Sequence, residues 1–552
     1  MDLATPTFHA VAPSSTAAAE RRPLARRWTW LGILLLAALG SASALAATRH
    51  GAGASPDSVV YIGVARNLLA GRGLTEPFGA LVDTPLTRYP PLYPVLLAAG
   101  GPLGLDPLAT ARWASALLFA ANILFVGLAL AALLPRSRWL PLAGALLAAS
   151  GLPLLTMHSM AWSEPLFLLL SFLCLFVLAA HLDQERPAAL LLAGLLGGLA
   201  FLTRYAAIPF LAAGVLGLLF MGRPSASRRL ASAALFAGLA LLPMALWTVR
   251  NLAVADTAAA RVLAWHPAGR AHLWQALYTV AGWLHVPDRA PNWLRLGLLL
   301  AVAGMALAAA VLMWRTRPAR QVPAFVKLLA LLIPLYSAFL AASISLLDAS
   351  TPLDDRILTP LYVAILFLAL YAVGELLPVA THPRRWQVAL ATLLLLLVAG
   401  SSIRGAAWAG DGYRQGIGFS SLAWQRSPLI EQVRWLPPET VIYSNVPEAV
   451  YLHAGRRALP LPRPINATTQ QPNPSYAAEI AHMGQLFDHQ AARLVYARSL
   501  SQRIRPGEEE LRQQMALCPV AQTGDGAIYA GGAPCQAGER IHAPRQYRHP
   551  RL

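Results

Sequence analysis

SPDSVVYIGVARNLLAGRGLTEP (Ser55–Pro77) follows directly on the first long apolar run of the chain, and its Asp57 opens a short helix at the edge of a membrane. Which side of that membrane Asp57 faces decides how the rest is read. Of 552 residues, 56% are hydrophobic and 13% charged, against about 25% charged in soluble domains, so the chain is an integral membrane protein. The formal net charge is +18. It is almost all arginine, with Lys327 the single lysine, spread in short clusters between apolar runs. That is the distribution of topology signals and not of a nucleic-acid groove.

A crossing needs roughly 20 apolar residues. Runs at 28–47, 109–134, 138–157, 163–182, 187–203, 205–221, 230–249, 293–314, 324–347, 356–378 and 386–404 predict eleven spans. The fifth and sixth, split by Thr203-Arg204-Tyr205, are the least distinct. YPVLLAAGGPLGL after Tyr93 predicts an interfacial or re-entrant piece. With the N-terminus in the cytoplasm, the cytoplasmic connections carry Arg21, Arg22, Arg26 and Arg27; Arg136 and Arg138; Arg186; Arg223, Arg228 and Arg229; Arg315, Arg317 and Arg320; Arg384 and Arg385. The opposite side carries Asp57, Glu76, Asp83, Asp106, Glu164, Asp256, Asp288, Asp348, Asp354 and Asp355. Every arginine cluster falls on alternate connections, as the positive-inside rule requires. The first run also has basic flanks and an ALAA end, which suit a cleaved signal sequence, but its length favours an uncleaved anchor. Asp57 faces outward either way.

The expected organisation is a disordered cytoplasmic segment over 1–25, a membrane domain over 26–404 with an outer-face loop at 48–108, and an extracytoplasmic domain over 405–552. After Gly405 the composition turns soluble. SPLIEQVRWL and PEAVYLHAG read as helices around the strand TVIYSN; ARLVYA is a strand, EEELRQQMAL a helix, and PVAQT with AIYAG a closing strand pair. That alternation predicts a small α/β domain. Cys518 and Cys535 bracket the last pair, so outside the cytoplasm they form either a disulfide or two free thiols.

The outer face gathers ionisable groups. Asp57 has a purely structural account: Ser55 caps the helix, Pro56 takes its first position, and an acid in the first turn favours the dipole by about 0.3–1 kcal/mol. Glu164, in HSMAWSEPLF, repeats the pattern with Ser163 as cap and Pro165 following. LVDTPLTRYPPLYP cannot form regular helix, and its Tyr89 and Tyr93 suit an interface or an aromatic belt. DASTPLDDRILTP puts Asp354, Asp355 and Arg356 at a span mouth. Arg204 and Arg250 add cations on the same side, against the positive-inside bias, and an anionic ligand is one reason for them.

PDSVVYIGVARNLLAGRGL, RYPPLYP, SEPLF, LTRY, WTVRN and DDRILTPLY, in that order, resemble the polytopic GT-C glycosyltransferases, and within them the enzymes related to protein O-mannosyltransferases and lipid A aminoarabinose transferase. The likeness covers roughly residues 25–405 plus a C-terminal soluble domain. It implies an inverting transfer on the extracytoplasmic face of the cell membrane, from a polyprenyl-phosphate sugar to an acceptor hydroxyl on a cell-envelope glycan, lipid or protein. It also implies that Asp57 is the base. Glu164 is then a second carboxylate for sugar or acceptor hydroxyls. Arg356, Arg204 and Arg250 are phosphate ligands in that order, since a guanidinium is always charged and fork-shaped; pairing with Asp354 or Asp355, or reaching lipid phosphates, is their other account. Asp355 and Arg88 join the substrate-binding set, and Tyr61 and Tyr89 line the pocket or pack. His158 is a weak metal candidate beside Glu164, and no metal is obligate. The family's acidic pair is Asp57-Ser58 here, which leaves sugar and acceptor open. A transporter or lipid flippase is the alternative, but such proteins show paired repeats and mid-membrane charges, and neither is found in this sequence. A membrane scaffold would not need acids and arginines gathered from distant loops.

Overall fold

The structure, a computed structural model, describes residues 16–222, 224–316, 322–376, 383–489, 491–498, 505–532 and 535. Arg223, Arg317, Arg320 and residues 1–15 and 536–552, on which some of the expectations fall, lie outside the described residues. The chain is a helical bundle with a mixed sheet at one end. The first helix, α1 (Thr16–Ala47), is followed by α2 (Pro56–Leu69), the two-residue strands β1 (Thr75–Glu76) and β2 (Thr84–Pro85), and α3 (Leu92–Ala98). Then come α4 (Pro107–Leu133), α5 (Trp139–Ser150), α6 (Leu152–His158), α7 (Glu164–Gln184), α8 (Pro187–Thr203), α9 (Ile208–Met221) and α10 (Ala226–Ala255). The bundle closes with α11 (Arg270–Trp283), α12 (Asn292–Thr316), α13 (Ala324–Leu346), α14 (Asp355–Leu376) and α15 (Pro383–Gln415).

Among the described residues seven helices are long and apolar enough to cross a membrane, or eight if the pair α5–α6, bent by 54° at Gly151, is one span. The protein is therefore a multi-pass membrane protein. Pro187–Thr203, Tyr205–Met221 and Asn292–Ala308 are shorter apolar helices, and by length alone they do not count as spans. Two boundaries differ from expectation. The segment 16–25, expected to be disordered, is helical, because its alanines, Glu20 and Arg21 are strong helix formers continuous with the apolar run. The last apolar run does not stop at Arg404; its helix continues through Gly405, Gly410 and Gly412 to Gln415 and ends at Gly416, whose φ is +74°.

Connections alternate between the two ends. Asp183, at the end of α7, accepts the backbone N–H of Ala324 at the start of α13, at 3.3 and 3.2 Å, tying one end. At the other, the α10–α11 segment runs along the end of α13, with Ala264 N–H to Leu346 O at 3.0 Å and His266 N–H to Ser345 O at 2.9 Å. Aromatic rings fill the middle: Phe125, Phe172, Phe176, Phe325 and Phe367 meet edge-on or stacked at 5.2–6.4 Å between centroids. Such rings add about 0.5–1.5 kcal/mol per pair beyond the area they bury.

After α15 come α16 (Leu422–Gln425), α17 (Pro428–Arg434), β3 (Val441–Ser444), α18 (Pro447–Ala454), β4 (Leu459–Pro460), α19 (Tyr476–Asp488), β5 (Ala492–Ala497), α20 (Glu508–Gln514), β6 (Cys518–Thr523) and β7 (Gly526–Ala530). The sheet order is β4-β3-β5-β7-β6, parallel across β4, β3 and β5 and antiparallel from there on. Cys518 and Cys535 are bonded Sγ to Sγ with their Cα atoms 5.5 Å apart. Gly63 on α2 lets the bundle and the sheet region meet. A Cβ there would stand 2.2 Å from Pro77 Cγ and 3.2 Å from the Tyr451 ring.

Candidate active site

Three separate strands of backbone clamp the entry to α2. Gly53 N–H donates to Ser159 O and Ala161 N–H to Gly53 O, each at 2.8 Å, and Phe419 N–H donates to Ala54 O at 2.8 Å. Gly418, at φ +57°, approaches so closely that a Cβ would lie 2.2 Å from Ala54 O; only glycine accepts both conditions. The clamp sets Ser55 beside Trp162, whose indole N–H donates to Ser55 Oγ at 2.8 Å. Ser55 Oγ in turn receives Ser58 N–H at 3.5 Å, and Pro56 takes the first position of α2. Asp57 is thus a first-turn acid, as its structural account says.

Its side chain does more than favour the dipole. Asp57 Oδ1 accepts the Tyr89 hydroxyl at 2.6 Å, and Oδ2 pairs with Arg356 Nη2 at 2.7 Å. Arg356 Nε also bonds Glu164 Oε1, and the guanidinium lies 4.3 Å from the centre of the Trp162 ring. Glu164 Oε1 pairs with Arg204 Nη1 at 2.8 Å. Four distant segments therefore meet: α2, the start of α7, the α8–α9 break and the start of α14. Arg204 reaches inward because the chain is broken there. α8 ends at Thr203, Arg204 is extended at φ −154° and ψ 142°, and a 3-10 turn at Tyr205–Ala207 restarts the helix.

Burial by itself would raise the Asp57 carboxyl, but the Arg356 charge and the Tyr89 hydroxyl overcome it and hold it below the usual carboxylate range. Burial and the Asp57 charge together push Tyr61 up to about 12 and Tyr89 well above its ordinary value. Both phenols stay protonated and can donate. Tyr61 rests edge-on against Tyr89 and Tyr93 at 5.0 and 5.2 Å.

The remaining expected site residues lie around this cluster. Arg88 pairs with Glu76 at 2.6 Å and leans over the Tyr89 ring at 5.3 Å. Arg250 is not in the cluster: its Nη1 donates to Leu86 O at 2.6 Å and its guanidinium stacks on Trp247 at 4.6 Å, so it braces the first loop. Asp355 turns the other way, accepting the Trp283 indole N–H at 2.9 Å. The two arginine–aspartate pairings considered for this segment do not form; Arg356 pairs across the bundle with Asp57 and Glu164, not with Asp354 or Asp355. His158 is buried with both ring nitrogens engaged, Nδ1 with Leu154 O at 2.7 Å and Nε2 with Asn122 Nδ2 at 3.0 Å. Among the described residues no group of three His, Cys, Asp or Glu could hold a metal.

The family model of dolichyl-phosphate-mannose-protein mannosyltransferases matches residues 88–247. ArnT from Cupriavidus metallidurans in the apo state superposes at a TM-score of 0.56 with 16% identity, covering 90% of this chain and 97% of that one. The same protein bound to undecaprenyl phosphate gives 0.55 and 15% over the same shares. The oligosaccharyltransferase AglB from Archaeoglobus fulgidus, in complex with an inhibitory peptide and a dolichol-phosphate, gives 0.50 and 13% over 78% of this chain and 64% of that one. No curated protein sequence matches the chain. This is the GT-C glycosyltransferase fold.

Within the GT-C fold, the stretch matched by the family model holds Arg88, Tyr89, Glu164 and Arg204, whereas Asp57 and Arg356 lie on either side of it. Two members of the cluster escape sequence reasoning. Ser163 reads as the cap of α7, but it makes no capping bond; its Oγ accepts Arg204 Nη1 at 3.1 Å and lies 3.4 Å from the Tyr61 hydroxyl. Trp162 has no sequence signal beyond its place next to Ser163 and Glu164, and only the fold shows it stacked on Arg356 and bonded to Ser55.

Proposed function

We propose that the protein is a membrane glycosyltransferase that moves a sugar from a polyprenyl-phosphate donor to an acceptor hydroxyl, with inversion, on the extracytoplasmic face of the cell membrane. The observation that carries this reading is the Arg356 fork, which spans Asp57 and Glu164 while Arg204 bonds the same Glu164 oxygen. Two carboxylates and two arginines at one point supply both halves of the reaction. The acceptor oxygen attacks the anomeric carbon and loses its proton to Asp57. The bond between that carbon and the phosphate oxygen breaks with its electron pair, and the departing polyprenyl phosphate gains a negative charge next to Arg356 and Arg204. Glu164 keeps those guanidiniums oriented and offers an oxygen to sugar hydroxyls, and Arg88 stands over the Tyr89 ring that serves Asp57. No metal is needed for this balance.

In this reading all eleven apolar runs cross the membrane, the N-terminus is cytoplasmic, and the sheet region after α15 is an extracytoplasmic α/β domain. The relatives of like fold support the donor class, since ArnT and AglB are seen with undecaprenyl phosphate and a dolichol-phosphate. The test uses purified protein in lipid nanodiscs with radiolabelled polyprenyl-phosphate sugars and a cell-envelope extract. Label transferred by wild type and not by Asp57→Asn supports the reading. Transfer by both removes Asp57 from the base role, and binding without transfer by either returns the protein to the transporter class.

A further inference from the structure

Beside the carboxylate cluster, the first turn of α14 borders a second polar pocket. A recess of about 270 Å³ is lined by Asp354, Asp355, Tyr278, Tyr362, His285 and Arg404, among others. That is close to the lower end, about 300 Å³, of small-molecule sites, and suits a single sugar ring. Beyond it lies a crevice of about 1340 Å³ whose walls include Leu147, Leu366, Leu370, Leu394 and Leu397. The two share Trp283, Tyr362 and Ser401 as wall residues, so they adjoin. The crevice runs on to Arg136 and Arg138 on the α4–α5 connection, at the opposite end of the bundle. Its length and apolar wall fit a lipid tail.

The chemistry of the recess decides what heads that tail. Asp355 spends Oδ1 on the Trp283 indole, and its Oδ2 has no hydrogen-bond partner among the described residues. Asp354 accepts the backbone N–H of Ile357 at 3.2 Å, and burial raises its carboxyl above the ordinary range. Arg404 is already engaged, with Nη1 2.7 Å from Gly282 O and 3.2 Å from His285 Nδ1. His285 Nε2 faces Leu397 O at 2.9 Å and Ser401 Oγ at 3.1 Å. A phosphate here would meet two carboxylates and a single cation, Arg404. A hydroxyl-rich head would meet acceptors for its O–H groups. The paired cations, Arg356 and Arg204, belong to the neighbouring Asp57–Glu164 cluster.

Resting on the glycosyltransferase reading above, we propose that the recess and crevice together bind the acceptor, a lipid-anchored polyol or glycan whose ring in the recess carries no phosphate. The tail lies in the crevice, the ring enters beside Asp354 and Asp355, and its reacting hydroxyl passes the start of α14 towards Asp57. The donor phosphate approaches the same point from the arginine side.

The experiment uses full-length protein in nanodiscs and an octadecyl glucoside with a diazirine in its chain, photolysed without any donor present. Labelled peptides are mapped by mass spectrometry. The proposal expects label on α14 and α15 around Leu366, Leu370 and Leu394. Unlabelled octadecyl glucoside should displace it, and undecaprenyl phosphate or octadecyl phosphate should not. Asp355→Asn should weaken labelling about 10-fold or more, as loss of a hydrogen bond to a charged group does. Ala369→Trp, which fills the crevice from its lining, should abolish it while leaving the α14 first turn intact. Displacement by undecaprenyl phosphate as readily as by the glucoside overturns the proposal and gives the crevice to the donor tail. Labelling unchanged in both variants overturns it as well. Because no turnover is involved, either failure leaves the Asp57-dependent transfer assay untouched, so the two readings fail separately.

Discussion

Replacing Arg356 with glutamine removes the one group that, among the described residues, pairs with both carboxylates. Arg356 is 17% exposed, Glu164 5% and Asp57 29%, so this is a largely buried arrangement. Removing one partner of such a pair costs about 3–5 kcal/mol, because a charge is left uncompensated. The loss is not shared equally. Glu164 keeps Arg204 at 2.8 Å, whereas Asp57 keeps only the Tyr89 hydroxyl. Asp57 then takes up a proton more readily: burial, which raises its carboxyl, is opposed by one neutral hydrogen bond and a more distant cation. A base works only when ionised, so activity is lost as pH falls through its pKa. Raising that pKa moves the acid limb of the pH–rate profile to higher pH. The donor phosphate also loses a guanidinium aimed at the charge it gains on leaving, a change of about 10²–10³-fold by analogy with the loss of one oxyanion donor. The assay is steady-state transfer in nanodiscs across pH, with donor concentration varied. We expect kcat/KM to fall about 10²–10³-fold, KM for the donor to rise, and the acid limb to shift upward. A variant within threefold of wild type, with its acid limb unmoved, would refute both the phosphate role and the coupling to Asp57.

The other expectations are simpler. Asp57→Asn should abolish transfer while the protein remains inserted and thermally stable; a Tm well below wild type would show that its role is structural. Tyr89→Phe removes a hydrogen bond to a charged carboxylate, worth about 1.5–3 kcal/mol, and should lower kcat/KM and move the acid limb upward in the same sense as Arg356→Gln, by less; no movement would mean that Tyr89 only packs. Gly63→Val should destabilise the contact between α2, Pro77 and Tyr451 by about 1–3 kcal/mol, as overpacking does, seen as a lower Tm, and an unchanged Tm would show that the interface yields. Reducing Cys518–Cys535, 17 residues apart, should cost the last hairpin about 3 kcal/mol of chain entropy, read as faster proteolysis after β5 in reductant.

Much of this was legible in residue order. Apolar runs of about 20 residues punctuated by arginine clusters mark a multi-pass membrane protein, since the bilayer sets span length and the cytoplasm retains positive charge. Each of those runs is mainly helical over its described residues. The acids and arginines of the cluster, Asp57, Glu164, Arg204 and Arg356, could be named because ionisable groups at span mouths are costly without a purpose. Their partners could not. Hydropathy carries no information on which way a side chain turns from a helix, so the sequence left Arg356 free to pair with its neighbours Asp354 and Asp355, and kept Arg250 as a phosphate ligand after Arg204. Ser163 looked like a cap because capping is a local pattern, while its bond to Arg204 comes from a residue 41 positions away. The end of α15 was misplaced because a helix, once nucleated, continues through polar residues until something stops it.

By itself, then, the sequence determined that the chain lives in a membrane and which charged residues stand at the ends of its apolar runs, because those follow from transfer energies that act residue by residue. Tertiary structure alone decided that Arg356 joins Asp57 to Glu164, that Arg204 reaches them through a break between two helices, and that Asp355 turns away into a separate recess. These depend on packing between segments hundreds of residues apart, fixed by the clamp of Gly53, Ser159 and Gly418 around the start of α2.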